Sequence, residues 1–325
     1  MINNLAYYIS KETNPYVNLA IENYLLNIAD QNTLILYLWQ NKNTVVIGKN
    51  QNPWAECRCA LLEQDGGLLA RRTSGGGAVF HDLGNLNFTF LSTQENSDVE
   101  RNMKIIQKAC AMEGITAEVS GRNDITADGK KFSGNAFYNS KGKSYHHGTL
   151  LINADKERML KYLTPPQAKL VTKGVKSVSA RVVNLSELSK TVTCESIMQN
   201  LLKAFAEAFK LTPSFINDID MSSIKAKAKE YSDWDYIYGK TINFSISLKN
   251  HFDWGNLELL LLIEEGNITK VKTYTDAMDH NLSESIENAL LGSKYDLNVI
   301  SNRLAKAFSE NLCTDIISLF QTQGF

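Results

Sequence analysis

The chain has 325 residues, 43% hydrophobic and 21% charged, with a formal net charge of −1. This is the composition of an ordinary soluble globular protein with room for one large domain or two unequal ones, and no excess of either charge draws it to nucleic acid or an acidic membrane. No apolar run approaches the roughly 20 residues that cross a bilayer, and the N-terminus lacks the basic segment and apolar core of a signal peptide. The five cysteines (Cys57, Cys59, Cys110, Cys194, Cys313) are scattered and odd in number, which suits a reducing cytosol; a cytoplasmic protein is expected.

Asn14-Pro15 marks a helix start, with Asn as cap and Pro in the first turn. Val17, Ala20, Ile21, Tyr24, Leu25 and Ile28 then share one face of an amphipathic helix. Leu34–Trp39 and Thr44–Gly48 are predicted strands joined by a short polar turn, and Lys49 to Asn52 is a polar loop. Cys57-Arg58-Cys59 lacks the two-residue gap and the second pair of a zinc site. Leu68 to Arg71 is a strand that delivers Arg71-Arg72-Thr73-Ser74-Gly75-Gly76-Gly77, after which Asn85 to Phe90 is again a strand.

A bare glycine triplet usually marks a turn. Here two guanidinium groups precede it. Backbone N–H groups with no Cβ in the way can form an anion nest, and Arg71 or Arg72 can fork onto a carboxylate or phosphate.

Val99 to Met112 has helical spacing and stops at Gly114; Ile115 to Val119 is a predicted strand. Gly121-Arg122-Asn123-Asp124 opens a second polar region. Asp128-Gly129 is a hairpin signal, followed by Lys131-Phe132-Ser133-Gly134-Asn135-Ala136 and, after a turn, by Tyr145-His146-His147-Gly148-Thr149-Leu150. Polar groups recurring at the ends of adjacent strands can converge on one pocket.

Lys156 to Leu163 is a short predicted helix, and the basic stretch Lys169 to Val183 reads as a mobile loop. Cys194 to Phe209 is a long helix. Tyr231 to Gly239 is an aromatic-rich turn before a strand over Thr241 to Leu248. Near residue 250 the texture changes. A hairpin across Glu264-Glu265-Gly266-Asn267 and helices over Ser283–Leu290, Leu297–Ser309 and Thr314–Phe320 describe a small α+β domain without convergent polar residues. The expected division is 1–246 and 251–325.

Walker-type, dinucleotide and nucleophile-elbow signatures are absent. Adjacent strand residues point to opposite faces, so His146 and His147 cannot chelate together. What remains suits a reaction on a phosphate. The glycine loop and Arg72 would hold an acyl carboxylate against a nucleotide's α-phosphate, Lys131 would neutralise the developing charge, and Asp124, with Asn123, would hold Mg²⁺.

The order and spacing of these motifs over nearly the whole chain resemble the lipoate–protein ligase A family: Arg71-Arg72-x-Ser74-Gly75-Gly76-Gly77-Ala78-Val79-Phe80-His81-Asp82, Gly121-Arg122-Asn123-Asp124, Lys131-x-Ser133-Gly134-Asn135-Ala136, His147-Gly148-Thr149-Leu150 and Lys173-Gly174-Val175-Lys176-Ser177-Val178 with Arg181. The resemblance implies an α/β (α+β) fold, a mixed-sheet catalytic core of the biotin/lipoate ligase type followed by a small α+β accessory domain. It implies ATP and lipoate as substrates, with Mg²⁺, and lipoyl-AMP as intermediate. The lipoyl group then passes to a lysine of lipoyl domains, in 2-oxoacid dehydrogenase E2 subunits and the glycine-cleavage H protein; a monomer is expected.

By the same resemblance Arg72, the loop from Gly77 to Phe80 and Lys131 bind nucleotide and lipoate. Ser74, Gly75, Gly76 and His81 fall on the same motif. Asn123, Asp124, Ser133, His147 and Thr149 fall on the neighbouring ones, and the loop of Lys173, Gly174, Val175, Lys176, Ser177 and Arg181 closes over the adenylate. Closure makes physical sense, because an acyl adenylate must be kept from water. Phe88, Phe90 or Phe132 could line a slot for the dithiolane, although plain core is the favoured reading.

Three rivals stand beside this. An octanoyltransferase on the same fold needs a reactive cysteine, and Ala111 to Thr193 contains none, while Cys110 reads as core. A biotin ligase carries a different glycine signature. A ligase-like protein that binds lipoyl domains without adenylating is opposed by the intact Arg72, Ser74 and Lys131.

Overall fold

A computed structural model of the chain describes residues 2–121, 123–164, 181–239 and 244–321. Residue contacts divide it into two units, one of Met1–Ile47, Trp54–Arg72 and Ala78–Ile237, the other of Gly48–Pro53, Thr73–Gly77 and Tyr238–Phe325.

Among the described residues the first unit has eleven strands: β1 (Asn4–Ile9), β2 (Thr33–Trp39), β3 (Thr44–Ile47), β4 (Leu68–Arg71), β5 (Val79–His81), β6 (Asn85–Thr93), β7 (Glu118–Ser120), β8 (Asp124–Ala127), β9 (Lys130–Ser140), β10 (Lys143–Leu151) and β11 (Ser214–Phe215). Eight form one mixed sheet in the order β11-β1-β2-β6-β10-β9-β8-β7. β1 runs parallel to β2 and β11, and every pair from β2 to β7 is antiparallel. β3 pairs parallel with β4 and antiparallel with β5 in a small second sheet. β2 and β3 therefore lie in different sheets, and the turn between them is a crossing, not a hairpin.

Alternation along the central strands feeds two cores. Leu34, Leu36, Leu38, Phe88 and Phe90 face the helices Val99–Ala111 and Cys194–Phe209. Ile35, Tyr37, Trp39, Leu91 and Tyr145 face the helices Pro15–Ile28 and Met221–Tyr231, with Val46 and Ala70 of the small sheet on the same side. Phe88, Phe90 and Phe132 are core, at 1% exposure or less.

The first helix begins as expected, with Asn14 Oδ1 accepting from the Tyr16 N–H at 2.9 Å. Its inward face differs from the apolar spacing: Ile28 is exposed, while Asn18 and Glu22 are buried. The turn between β8 and β9 is the expected one, with φ positive at both Asp128 and Gly129. The strand expected over Ile115–Val119 forms later, as β7, and the aromatic stretch expected as a turn contains a short helix, Trp234–Tyr238. That helix starts on Asp233, whose carboxylate accepts from the Asp235 N–H at 2.9 Å.

In the second unit β12 (Ile246–Phe252), β13 (Gly255–Glu264) and β14 (Asn267–Thr275) form an antiparallel meander. Leu248, Leu257, Leu259, Leu261 and Ile268 pack on Ile286, Ile300, Leu304 and Ile316 of the helices Leu282–Leu290, Leu297–Ala307 and Glu310–Gln321. No helix among the described residues is long and apolar enough to cross a membrane.

Candidate functional site

Lys131 owes its direction to a β-bulge. Ile125 of β8 pairs with Ser133, but the next residue, Thr126, pairs with Lys131, so Phe132 is an extra residue in β9. Strict alternation would put Lys131 on the same face as Ser133 and Asn135. With the bulge, Phe132 joins the core and Lys131 turns to the opposite face, over Gly134. There Thr149 Oγ1 accepts from the Gly134 N–H at 3.2 Å. Lys131 Nζ stands 2.6 Å from Asp124 Oδ1, an ion contact whose angles fall short of a directed hydrogen bond.

Pairing of β9 with β10 runs only to Asn135, so the start of β9 is open to another segment. Residues 181–183 take that place. The Lys131 N–H donates to Arg181 O at 2.8 Å and Lys131 O accepts from the Val183 N–H at 2.9 Å. Arg181 is thus tied to the backbone of Lys131. Lys173, Gly174, Val175, Lys176 and Ser177 lie outside the described residues, as do Arg122 and the first residues of the strand expected from Thr241.

On β10 the two histidines part as expected. His147 shares a face with Tyr145 and Thr149, opposite Thr89 and Asn87 of β6. Its Nδ1 lies 2.9 Å from the carboxylate of Glu22. The same carboxylate oxygen accepts from Thr89 Oγ1 at 2.8 Å, and Thr89 Oγ1 accepts from Trp39 Nε1 at 3.1 Å. A polar stripe therefore runs along this face from Lys131 through Thr149 and Asn87 to His147, Thr89 and Glu22. Asn87 accepts from Asn85 Nδ2 at 3.0 Å, and its own Nδ2 is buried without a partner among the described residues.

Arg72 is buried beneath this stripe. Its N–H donates to Ile47 O and a guanidinium nitrogen to Val46 O. Burial pulls its pKa down to about 10, opposed by Tyr145 and Glu22. Arg71 does something different, its guanidinium holding the carbonyls of Tyr236 and Ile237. His81, on β5, is pulled down to about 3, first by burial and then by Arg72 and His147 nearby. Its tautomer follows from its neighbours. Asn18 Nδ2 donates to Asn41 Oδ1 at 3.0 Å, so Asn41 turns its Nδ2 to His81 Nδ1 at 3.1 Å. Nδ1 is then the acceptor, and Nε2–H is a buried donor without a partner among the described residues. Val79 and Phe80 belong to β5, with Phe80 buried against Tyr162.

The loop of Ser74, Gly75, Gly76 and Gly77 belongs to the second unit, where the Gly76 N–H donates to Ala277 O at 3.0 Å. Ser74 O accepts from the Lys49 N–H at 2.9 Å, and the Thr275 N–H donates to Asn50 O at 2.8 Å. Ala78 returns the chain to the first unit.

Of the residues singled out in the sequence, Lys131, Asp124, Thr149 and His147 share one face or its edge. Asn123 and Ser133 lie behind it, bonded to Asn135. Glu22, Trp39, Asn87 and Thr89 escaped the motif reading. The available signal was Asn18 and Glu22, one turn apart and polar within an apolar helix.

Comparison with known proteins places this architecture among the protein-modifying ligases. A family model described as Lipoyl protein ligase A/B catalytic domain matches residues 14–206, and one described as Bacterial lipoate protein ligase C-terminus matches residues 241–318. The Lipoate-protein ligase A of Psychrobacter cryohalolentis is 40% identical over 297 residues, 88% of each chain. The crystal structure of P. falciparum LipL1 in complex with lipoate matches with a TM-score of 0.86 and 34% identity, covering 97% of this chain and 98% of that one. A bi-partite lipoate protein ligase from Thermoplasma acidophilum, studied with its E2 lipoyl domain, matches with a TM-score of 0.63 and 25% identity over 76% of this chain and 100% of that one. The chain belongs to the lipoate–protein ligase A family. It is a ligase, and the family's reaction is the ATP-dependent attachment of lipoate to lipoyl domains.

Proposed function

We propose that the polar stripe of the first unit is where lipoate is adenylated. The lipoate carboxylate attacks the α-phosphorus of ATP and pyrophosphate leaves. The amine of an acceptor lysine then attacks the acyl carbon, AMP leaves, and the amine gives up a proton. Lys131 neutralises the charge shared by carboxylate and α-phosphate in the first step and by the departing AMP in the second. Thr149, the buried Arg72 and the Nε2–H of His81, which has no partner among the described residues, supply further donors. Arg181 is bonded to the backbone of Lys131, and the loop of Lys173 to Arg181 is proposed to keep water from the adenylate. Ser74 and the glycine loop, which belong to the second unit, are proposed as a further substrate-binding element.

The observation that carries this reading is the bulge that lifts Lys131 out of the Ser133 face and sets it beside Thr149. Magnesium is commonly held by one or two carboxylates together with substrate phosphates. Asp124, whose Oδ1 makes no directed hydrogen bond, fits that pattern, and no cluster of three metal-binding side chains exists among the described residues. Bound there, Mg²⁺ would neutralise phosphate charge.

The test is lipoate-dependent pyrophosphate release with wild type and Lys131→Ala. A loss of roughly 10²-fold or more is expected for the variant. Undiminished release by the variant would overturn the role of Lys131. The acyltransferase alternative finds no thiol at the stripe: Cys110 is buried in the core, and burial pushes it to about 12.

Acceptors are proposed to be E2 lipoyl domains and the glycine-cleavage H protein, and the protein to act as a cytoplasmic monomer. The five free cysteines support a reducing compartment. We also propose a catalytic domain over 1–246 and an accessory domain over 251–325. Separate family matches to residues 14–206 and 241–318 support a catalytic part followed by a C-terminal part.

A further inference from the structure

His146 is neither at the polar stripe nor an ordinary core residue. It is 1% exposed, and its ring lies 4.9 Å from Phe137, 5.5 Å from Phe88 and 6.1 Å from Phe90. Burial first, then His147, pulls it down to about 3, so the ring is neutral at working pH. Its Nε2 lies 2.8 Å from Asn135 Oδ1.

Asn135 has only one tenable orientation. The Asn123 carbonyl lies 3.0 Å from its Nδ2, and a flipped amide would set two carbonyl oxygens against each other. With Nδ2 committed to Asn123 O and to Ser133 Oγ, Oδ1 faces His146, and His146 Nε2 must carry the proton. Two further bonds close the unit: the Asn135 N–H to Asn123 O at 2.8 Å, and Asn123 Nδ2 to Asn135 O at 2.8 Å. Asn123 is the residue before Asp124. Room for the amide is made by Gly148, where a Cβ would stand 2.7 Å from Asn135 Oδ1 and 2.6 Å from Phe88 Cζ.

We propose that His146 and Asn135 are positioning residues for adenylation, fixing the Asn123–Asp124 corner and through it the carboxylate that faces Lys131. The inference rests on the reading that the Asp124–Lys131 pair serves that step. A neutral histidine suits this role because it donates one directed bond from a surround rich in aromatic rings.

The test compares His146→Phe, which keeps a ring but loses the donor, with His146→Gln, which restores an N–H near the Nε2 position. Lipoate-dependent pyrophosphate release by His146→Phe should fall about tenfold in kcat with the KM for lipoate unchanged, and His146→Gln should recover most of it. In an Asp124→Asn background the Phe substitution should cost nothing more, because it acts through Asp124. Asn135→Asp keeps the shape but sets an oxygen against Asn123 O. It should lose at least as much as His146→Phe, and it decides the matter if His146→Phe does not fold. Equal losses from His146→Phe with and without Asp124, or no rescue by Gln, would overturn the proposal. Lys131→Ala is run alongside. If it stays active, the reading of the pair falls and the relay with it. If it is inactive while His146→Phe and Asn135→Asp run at the wild-type rate, only the relay falls.

Discussion

The side chain of Lys131 crosses Gly134: a Cβ built on Gly134 would stand 3.1 Å from Lys131 Nζ and 3.2 Å from its Cε. Both atoms are at the end of a flexible side chain, so Gly134→Ala should fold and the lysine should yield. The amine then shifts away from Thr149 and Asp124. A displacement of this kind is expected to lower kcat for lipoate adenylation about tenfold or more, with Tm within a few degrees of wild type. Calorimetry and pyrophosphate release on the same sample check both halves. An unchanged kcat would show that the amine has no fixed place in the reaction.

That lysine also marks how far sequence reasoning reaches. The residue types around it and their spacing were legible, because the chemistry needs particular groups in a particular order. Its direction was not. Alternation through Lys131, Ser133 and Asn135 places all three on one face, and a bulge leaves no composition signal when its extra residue is an ordinary apolar Phe132. Glu22 was hidden for a related reason, since one carboxylate in a helix reads as a solvated position unless its partners on β6 and β10 are known. The hairpins at Asp128-Gly129 and Glu265-Gly266 were readable because positive φ restricts which residues serve there. Strands β1 and β11 had no such signal; long-range parallel pairing defines them.

Glu22 should show its burial in stability. Its Oε1 accepts from both Thr89 and His147, and it is 2% exposed. Glu22→Ala strands a buried hydroxyl and imidazole and leaves a cavity, and is expected to cost about 3 kcal/mol or more. Glu22→Gln retains an acceptor oxygen for both donors and should cost markedly less. Urea unfolding of the two variants separates these outcomes. Equal losses would mean that the charge of Glu22, rather than its acceptor geometry, holds the cluster.

His81 and His146 make a signed pH dependence. Each has its pKa lowered to about 3 by burial, whereas an unfolded histidine titrates near 6.5. Below pH 6.5 the unfolded chain takes up protons that the folded chain refuses. The contribution is therefore complete above pH 6.5 and is lost as pH falls from there towards 3. At pH 5 the loss is roughly 2 kcal/mol for each residue. His146→Phe has no proton to refuse, so its stability should fall about half as far between pH 7.5 and pH 5. Urea midpoints at the two pH values measure this. Parallel falls for variant and wild type would place the acid sensitivity in other groups.

The three consecutive glycines separate by the reason each position needs one. At Gly75 the need is space: a Cβ would stand 2.6 Å from Met278 O and closer still to Ala277 O, both backbone atoms that cannot swing aside. At Gly76 the need is conformation, since φ is +86°, and its N–H is the one bonded to Ala277 O. Gly77 has neither need, with nothing within 4 Å of a built Cβ. Gly75→Ala and Gly76→Ala are each expected to cost about 1–3 kcal/mol and to speed exchange of the Gly76 amide hydrogen. Gly77→Ala should stay within roughly 0.5 kcal/mol of wild type. If the loop presents its backbone to an anionic substrate, Gly77→Ala should nonetheless raise the KM for ATP or lipoate, because the added methyl occupies space the substrate would use. A stability series paired with KM values tests the distinction. Unchanged stability for Gly75→Ala would refute the packing argument, and unchanged KM for Gly77→Ala would remove Gly77 from the binding loop.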